Sequence, residues 1–471
     1  MSPSFASSLK DPGLWVESSY INGTWVQSKS GKTLEVRNPA SDAVLGKCPE
    51  STLADLNDAI DAAAAAFPAW RSLPGRQRGR VLRRFYELLV QNKQDLGQII
   101  LAENGKAKAD AEGEVMFSAS FFEWFAEEAP RVYGEVIPHS NASSRIQAIK
   151  QPIGFIAAAF AAGCTVVLKS DGLTPLSSNA LAAIGERAGV PKGVINVVTA
   201  RENTPQLGLG LCDSNIVKKI SFTGSTRVGK LLMKQSSSTL KKLSLELGGN
   251  APFIVFGDAD IGTAITSALV SKFKMTGQTC VCANRIYVQN GIYERFSQRL
   301  VEEVNKFRVG DGSDDSVTHG PLTNGLTKVQ EHIKDAVNKN AKVLSGGNPL
   351  LSLGNNFHEI TVLGEVEDSM LHAALTKFST EEEVIQKANN CDVGLASYLM
   401  TTDLARSHRV SEKLEAGMVA INTGVISDAS APFGGVKHSG MGREGSKYGI
   451  EDYMTIKMIV TGGINTLWSS L

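Results

Sequence analysis

The chain has 471 residues, more than one ordinary core accommodates, so its length calls for two or three domains or lobes. Lys plus Arg and Asp plus Glu both number 48, and that balance gives no electrostatic ground for nucleic acid or an anionic membrane as a partner. Apolar residues at 42% and charged residues at 20% fit a soluble globular chain, and no apolar run reaches the roughly 20 residues that span a bilayer. The opening, MSPSFASSLKDPGLW, carries neither a signal-peptide core nor an Arg-rich transit pattern. Cys48, Cys164, Cys212, Cys280, Cys282 and Cys391 are few for the length, which fits a reducing compartment, and a cytoplasmic location is expected.

In chain order, the first periodic segment begins near Thr52, where Leu53, Leu56, Ile60 and Phe67 recur at helical spacing. Val81, Leu82, Phe85, Leu88 and Leu89 predict a second amphipathic helix. Arg78, Arg80, Arg83 and Arg84 interleave with it and read as a solvated basic face. The segment Val132–Pro152 reads as a β-hairpin around His139–Ser143. From Thr165 to about Phe256, strands TVVLK, VINVVTA, KKISFTG, KLSLELGG and APFIVF alternate with helices, and Thr174-Pro175 marks one helix start. Such alternation implies βαβ units and a parallel sheet, with ligands at the carboxyl ends of its strands. A second alternating region runs from Ile261 to about Ser430. The terminal run YMTIKMIV reads as a strand that pairs with the hairpin as a protruding edge, the kind of element that joins subunits.

Three local patterns bear on chemistry. Cys280 sits in GQTCVCAN, a small-residue loop between a helix and a strand, where nucleophiles often lie; the alternative is a small buried side chain. Glu246 ends a strand before two glycines and suits a general base, or else is a strand-end charge facing water. SFTGSTRVG, Ser221–Gly229, is a strand, a turn at Gly224 and a helix whose first N–H groups suit a phosphate, although it is not a GxGxxG fingerprint.

Together, FTGSTRVG (Phe222–Gly229), LELGGNAPFIVF (Leu245–Phe256), GQTCVC (Gly277–Cys282) and PFGGVKHSGMGREGSKYG (Pro432–Gly449) resemble the aldehyde dehydrogenase superfamily, closest to its succinate-semialdehyde dehydrogenase branch. The resemblance covers nearly the whole chain. It implies an α/β fold with a Rossmann-type cofactor domain over 1–129 and 151–247. A catalytic domain over 248–450 and an oligomerisation element over 130–150 and 451–471 complete the implied organisation. It implies that Cys280 adds to an aldehyde to give a thiohemiacetal and then a thioester, and that Glu246 activates the water that releases the acid. NAD or NADP is the implied cofactor, with Lys169 at the adenine ribose, Ser225 at the pyrophosphate, Phe433 near the nicotinamide or substrate, and Thr223, Gly224, Gly229 and Leu247 along the same site. Cys280 and Cys282 resemble a redox-switch pair in this branch. No metal is implied. The partners implied are a small aldehyde and further copies of the chain, as a homodimer or homotetramer.

The sequence also departs from the family pattern. The segment between the hairpin and AAGCTVVLK, with its Pro-Trp-Asn-Phe-Pro motif, has no counterpart, because KQPIGFIAA runs directly into AFAAGCTVV. That removes an oxyanion-hole Asn, leaving a backbone N–H of Cys280, and losing one such donor costs about 10²–10³ in rate. It also removes a carboxylate-binding Arg. A second falls at Lys274, which keeps the charge without the bidentate fork, while Ser427 matches the third contact. The Glu-x-Phe-Gly-Pro motif is missing near Met370–Thr376, and Gly172 stands where a ribose-binding Glu is usual, so NADP is expected to be tolerated. A strand and part of a helix are expected to be lost from the cofactor domain. Aldehyde oxidation is the expected activity. The competing expectations are an impaired or non-catalytic relative and a cofactor-independent thiol esterase using Cys280 and Glu246.

Overall fold

The structure, a computed structural model, describes residues 5–152, 157–367, 370 and 375–464. The start expected at Thr52 is observed. The helix Leu53–Ser72 opens on it, and Asp55 accepts the Thr52 N–H at 2.7 Å, occupying a donor the helix itself leaves free. The helix Gly75–Gln91 follows and packs on the long helix Lys108–Glu128, with Phe85 stacked on Phe122 at 4.0 Å between ring centres.

The arginines of Gly75–Gln91 correct the expectation of a uniformly solvated face. Arg83 pairs with Glu123 and Glu127 and Arg84 with Glu87, all partly exposed. Arg78 is instead buried, donating from Nε to the carbonyl of Ala161 at 3.0 Å and from Nη1 to that of Leu73. The physical reason is a short buried helix, Ala157–Ala162, whose carbonyl end needs donors and has no polar residue of its own.

The expected strands form, and neighbouring ones run parallel. Val166–Lys169 pairs with Ile195–Val198, Lys219–Thr223 with Lys242–Glu246, and Ala251–Val255 with Ala283–Gln289. The later strands form one seven-stranded sheet in the order 342–345, 362–364, 375–378, 283–289, 251–255, 396–400 and 418–421. The earlier parallel strands are divided. One sheet runs 24–26, 19–21, 195–198, 166–169, and a separate one runs 440–441, 242–246, 219–223. Val166–Lys169 and Lys219–Thr223 are therefore both edges among the described strands. Yet Val167, Ile220 and Leu243 pack in one apolar cluster with Leu56, Ile60 and Leu207, so a common helical layer covers both sheets. The sequence expectations at 153–156 and at most of 368–374 lie outside the described residues.

The predicted hairpin and terminal strand do pair. Glu135–Pro138, Arg145–Pro152 and Met454–Thr461 form an antiparallel sheet, with Met454 opposite Pro152 and Thr461 opposite Arg145. No described helix is long and apolar enough to cross a membrane.

The helix Pro175–Arg187 starts after Thr174 as expected, but the Thr174 side chain makes no capping bond. Glu103 caps it instead, its carboxylate accepting the N–H groups of Leu176 and Ser177 at 2.8 Å each. Burial pushes Glu103 up to about 7, against the pull of those bonds. Its folded pKa thus lies above the unfolded value of about 4.3. The protonated group's contribution to stability is complete below that unfolded value and is lost as pH rises through about 7. Glu103→Gln removes this titration. Urea denaturation on either side of the window is expected to show wild-type stability falling with pH relative to the variant; parallel pH profiles would refute this account.

Candidate active site

The candidate site is built where the end of the strand Lys242–Glu246 meets the start of the seven-stranded sheet. Glu246 is the last residue of the strand Lys242–Glu246, and the turn Gly248-Gly249-Asn250 leads into the strand Ala251–Val255. That turn passes directly beneath Cys280: a β-carbon on Gly249 would lie 2.2 Å from the Cys280 carbonyl oxygen, so only glycine fits. Ser439 holds the turn from the other side. Its hydroxyl donates to the Gly248 carbonyl at 2.7 Å and accepts the Gly394 N–H at 2.9 Å, while its carbonyl accepts the Leu247 N–H at 2.9 Å. Glu246 and Cys280 are thereby brought close enough for the charge of one to act on the other.

Cys280 lies in a turn between the helix Ile261–Phe273 and the strand Ala283–Gln289 and is half-buried. The approach to it is strained: Met275, Thr276 and Gly277 have φ of 53°, 56° and 69°, and two of the three are not glycine. Distant residues hold this loop. Asp110 accepts the Met275 N–H at 2.8 Å, the His319 ring donates to the Phe273 carbonyl at 3.0 Å, and the Tyr398 hydroxyl donates to the Val281 carbonyl at 3.0 Å. No local pattern marks Asp110, His319, Tyr398 or Ser439 as parts of the site, because each acts on a residue far away in the chain.

Glu246 does not face water, contrary to the bland reading of a strand-end charge. It is 4% exposed, and neither carboxylate oxygen has a hydrogen-bond partner in the protein. Burial, then the charge of Glu444, pushes its pKa up to about 8. Burial and then the Glu246 charge raise the Cys280 thiol to about 11, opposed by the N–H groups of Cys280 and Val281, which face the sulfur. The carboxylate therefore acts electrostatically on the thiol, and two backbone donors are aimed at the place where negative charge collects.

The remaining predicted residues fall into two groups. Ser225 is the N-cap of the helix Thr226–Ser236, its hydroxyl accepting the Val228 N–H at 3.4 Å, and the turn Thr223-Gly224 precedes it. Gly229 packs on buried Leu247, where a β-carbon would come within 2.5 Å of that side chain. Lys169 ends its strand, with burial lowering its pKa, and the buried Ser170 hydroxyl beside it has no protein partner. The carbonyl of Gly172 accepts from the Arg201 guanidinium at 2.7 Å. Phe433 is half-buried and exchanges backbone bonds of 2.9 and 2.7 Å with Glu444. These residues stand at strand ends and at a helix N-terminus, the positions that suit a dinucleotide's phosphates and ribose. Lys274 is exposed and Ser427 half-buried. Cys282 is buried and reduced, its thiol donating to the Lys272 carbonyl at 3.1 Å, and its N–H closes a turn onto Thr279. Among the described residues no group of His, Cys, Asp and Glu is placed to hold a metal ion.

A half-buried thiol with two N–H groups on it and a buried carboxylate acting on it thus stand together at the ends of these strands. The family model described as the aldehyde dehydrogenase family matches residues 25–459. The chain belongs to that family. It is similar to the glutarate-semialdehyde dehydrogenase of Pseudomonas aeruginosa, 48% identical over 484 positions that take in 97% of this chain and 100% of that one. It is likewise 47% identical to the succinate-semialdehyde dehydrogenase [NADP(+)] GabD of Escherichia coli, over 96% of this chain and 99% of that one. The crystal structure of succinate-semialdehyde dehydrogenase from Burkholderia pseudomallei has the same fold, with a TM-score of 0.95 at 45% identity, covering 97% of this chain and 100% of that one. The first alignment, at 484 positions, is longer than the 471 residues present, so that relative carries stretches that this chain lacks.

The thiol's surroundings set its reactivity. Iodoacetamide modification of Cys280 is expected to accelerate with pH well beyond neutrality. Glu246→Gln removes the charge that raises the thiol, so above about pH 8 this variant should alkylate faster than wild type. An equal or slower rate, followed by mass spectrometry of the Cys280 peptide, would place the carboxylate too far away to matter.

Proposed function

We propose that this chain oxidises a semialdehyde, an aldehyde with a carboxylate at its far end, to the dicarboxylic acid with NAD or NADP. The observation that carries the reading is the buried, unpartnered Glu246 acting on the half-buried Cys280 in one cleft. The names of its relatives supply the substrate class: glutarate and succinate semialdehyde.

Cys280 Sγ, as the thiolate, adds to the aldehyde carbon and holds the substrate covalently. The N–H groups of Cys280 and Val281 are the donors available to the developing charge. When bound, the oxidised nicotinamide supplies the hydride acceptor. Glu246 takes a proton from the water that attacks the acyl carbon, the C–S bond breaks, and acid and thiolate are released. With a pKa near 8, Glu246 is ready to accept that proton only as the pH approaches this value.

The residues present fit a dinucleotide: the Ser225-capped helix holds the pyrophosphate, and Lys169 with the orphaned Ser170 hydroxyl holds the adenine ribose. Thr223, Gly224, Gly229, Leu247 and Phe433 complete that site. Gly172 places no carboxylate there, and Arg201 stands on its carbonyl, an environment that tolerates a 2′-phosphate. Lys274 and Ser427 receive the substrate's far carboxylate. Cys282, two residues from Cys280, is the partner for a reversible disulfide, which requires its thiol to leave the Lys272 carbonyl. The domain division follows the same reading: 1–129 with 151–247 for cofactor, 248–450 for catalysis, and 130–150 with 451–471 for assembly, in a cytoplasmic homodimer or homotetramer.

Succinate and glutarate semialdehyde with NAD and NADP are expected to yield reduced nicotinamide, with NADP at least as effective as NAD. Cys280→Ala should abolish it. Glu246→Gln should release about one reduced nicotinamide per site and then slow sharply as the thioester accumulates. Turnover surviving in Cys280→Ala, or no reduced cofactor from wild type, would defeat the reading; a clear NAD preference would defeat the Gly172 argument alone.

Assembly rests on the terminal strand Met454–Thr461, where Ile456 is 73% and Met458 65% exposed along an unpaired edge. Light scattering is expected to give a dimer or larger for wild type and a smaller species for Ile456→Lys with Met458→Lys. An unchanged mass would exclude this strand as the contact.

A further inference from the structure

The glycine turn beneath Cys280 is held at Gly248 by Ser439 and at Asn250 by Arg285. Arg285 belongs to the strand Ala283–Gln289, which leads away from the nucleophile, and lies opposite Pro252 in the neighbouring strand. Proline brings no N–H to the ladder, and the register slips by one residue between Ala251 and Pro252, where the turn enters the sheet. The Arg285 side chain supplies a donor there. Its Nε donates to the Asn250 carbonyl at 2.9 Å, and its two terminal nitrogens donate to the carbonyls of Lys387 and Ala388 at 3.0 and 2.9 Å. Those two carbonyls lie in the last turn of the helix Glu381–Asn389, which leaves them without partners of its own. The Asn250 side chain gives no second hold, because its buried Oδ1 has no partner in the protein.

Arg285 is buried, and among the described residues its close partners are carbonyls rather than a carboxylate. Burying a cation is costly, and here hydrogen bonds alone offset that cost. The carbonyls come from two segments, one 35 positions before Arg285 and the other 102 and 103 positions after it, so the guanidinium fixes the turn against a distant helix end. We propose that Arg285 is a positioning residue that sets the gap between the turn following Glu246 and the loop carrying Cys280, a role that rests on their assignment as base and nucleophile. Gly248 and Asn250 are both clamped, and Gly249 is left between them against the Cys280 carbonyl. A lysine at 285 keeps the charge but lacks the planar fork that reaches three acceptors. With the fork gone, the turn is released at Asn250 and Glu246 acts less strongly on the sulfur.

The test uses the full chain and the rate of Cys280 alkylation by iodoacetamide above about pH 8, read with and without Glu246→Gln. In the Arg285→Lys background, the acceleration given by Glu246→Gln is expected to shrink by about twofold or more relative to wild type. Arg299→Lys, on the exposed face of the helix Tyr293–Val304, should leave that acceleration unchanged. If Arg285→Lys does not fold, Asn389→Ala takes its place. The Asn389 amide donates to the Lys413 carbonyl at 2.8 Å, so its loss loosens the helix end that Arg285 grips, and the same shrinkage is expected. An acceleration that persists undiminished in the folded variant, even with a lowered Tm, would make the arginine a structural support only and overturn the proposal. No acceleration in the wild-type background would overturn it differently, through the base reading on which it rests. None of these readouts depends on dehydrogenase activity.

Discussion

The cleft depends on one close approach, the passage of the Gly248-Gly249 turn beneath the carbonyl of Cys280. Two loops of the chain touch there, backbone against backbone, and any side chain at 249 would push them apart. A separation there would carry Glu246 away from the sulfur and weaken the electrostatic link between them. The contact is costly to maintain. Met275 and Thr276 occupy left-handed backbone positions that disfavour ordinary residues, and a buried carboxylate is left without a hydrogen-bond donor. Strain and an unpaired polar group collected in one cleft mark where the chain has given up stability for chemistry.

What the sequence made legible follows from the range of the forces involved. Local periodicity and turn chemistry located the helix after Thr52, the alternating strands and helices, and the hairpin that pairs with the terminal strand. The four family blocks located Cys280 and Glu246. The supports of the site stayed hidden, since they are long-range. Asp110 reaches a peptide N–H 165 positions away, and Glu103 caps a helix that begins more than 70 positions later. Arg78 shows the same limit in reverse. Its neighbours along the helix read as a solvated row, and only the folded chain shows that a short alanine helix needed its guanidinium.

Among the described strands Val166–Lys169 and Lys219–Thr223 each end a sheet, yet both keep their apolar faces on the helices Leu53–Ser72 and Thr204–Asp213. Helix-to-sheet packing is non-directional, so it survives where the ladder between strands is interrupted. The other face of Val166–Lys169 and Ile195–Val198 packs on a core of its own, with Phe85, Leu89 and Phe122.

Glu444 bonds Phe433 through its backbone and contributes its charge to both Glu246 and Cys280. Lys219, fully buried and itself lowered to about 8 by burial, pulls Glu444 down, while its neighbour Asp452 pushes it up. The proton held by Glu246 therefore depends on the charges of Glu444, Arg443 and Asp452 as well as on its own burial. A change in any one of these charges would alter the protonation of Glu246, and through it the Cys280 thiol, without moving either side chain.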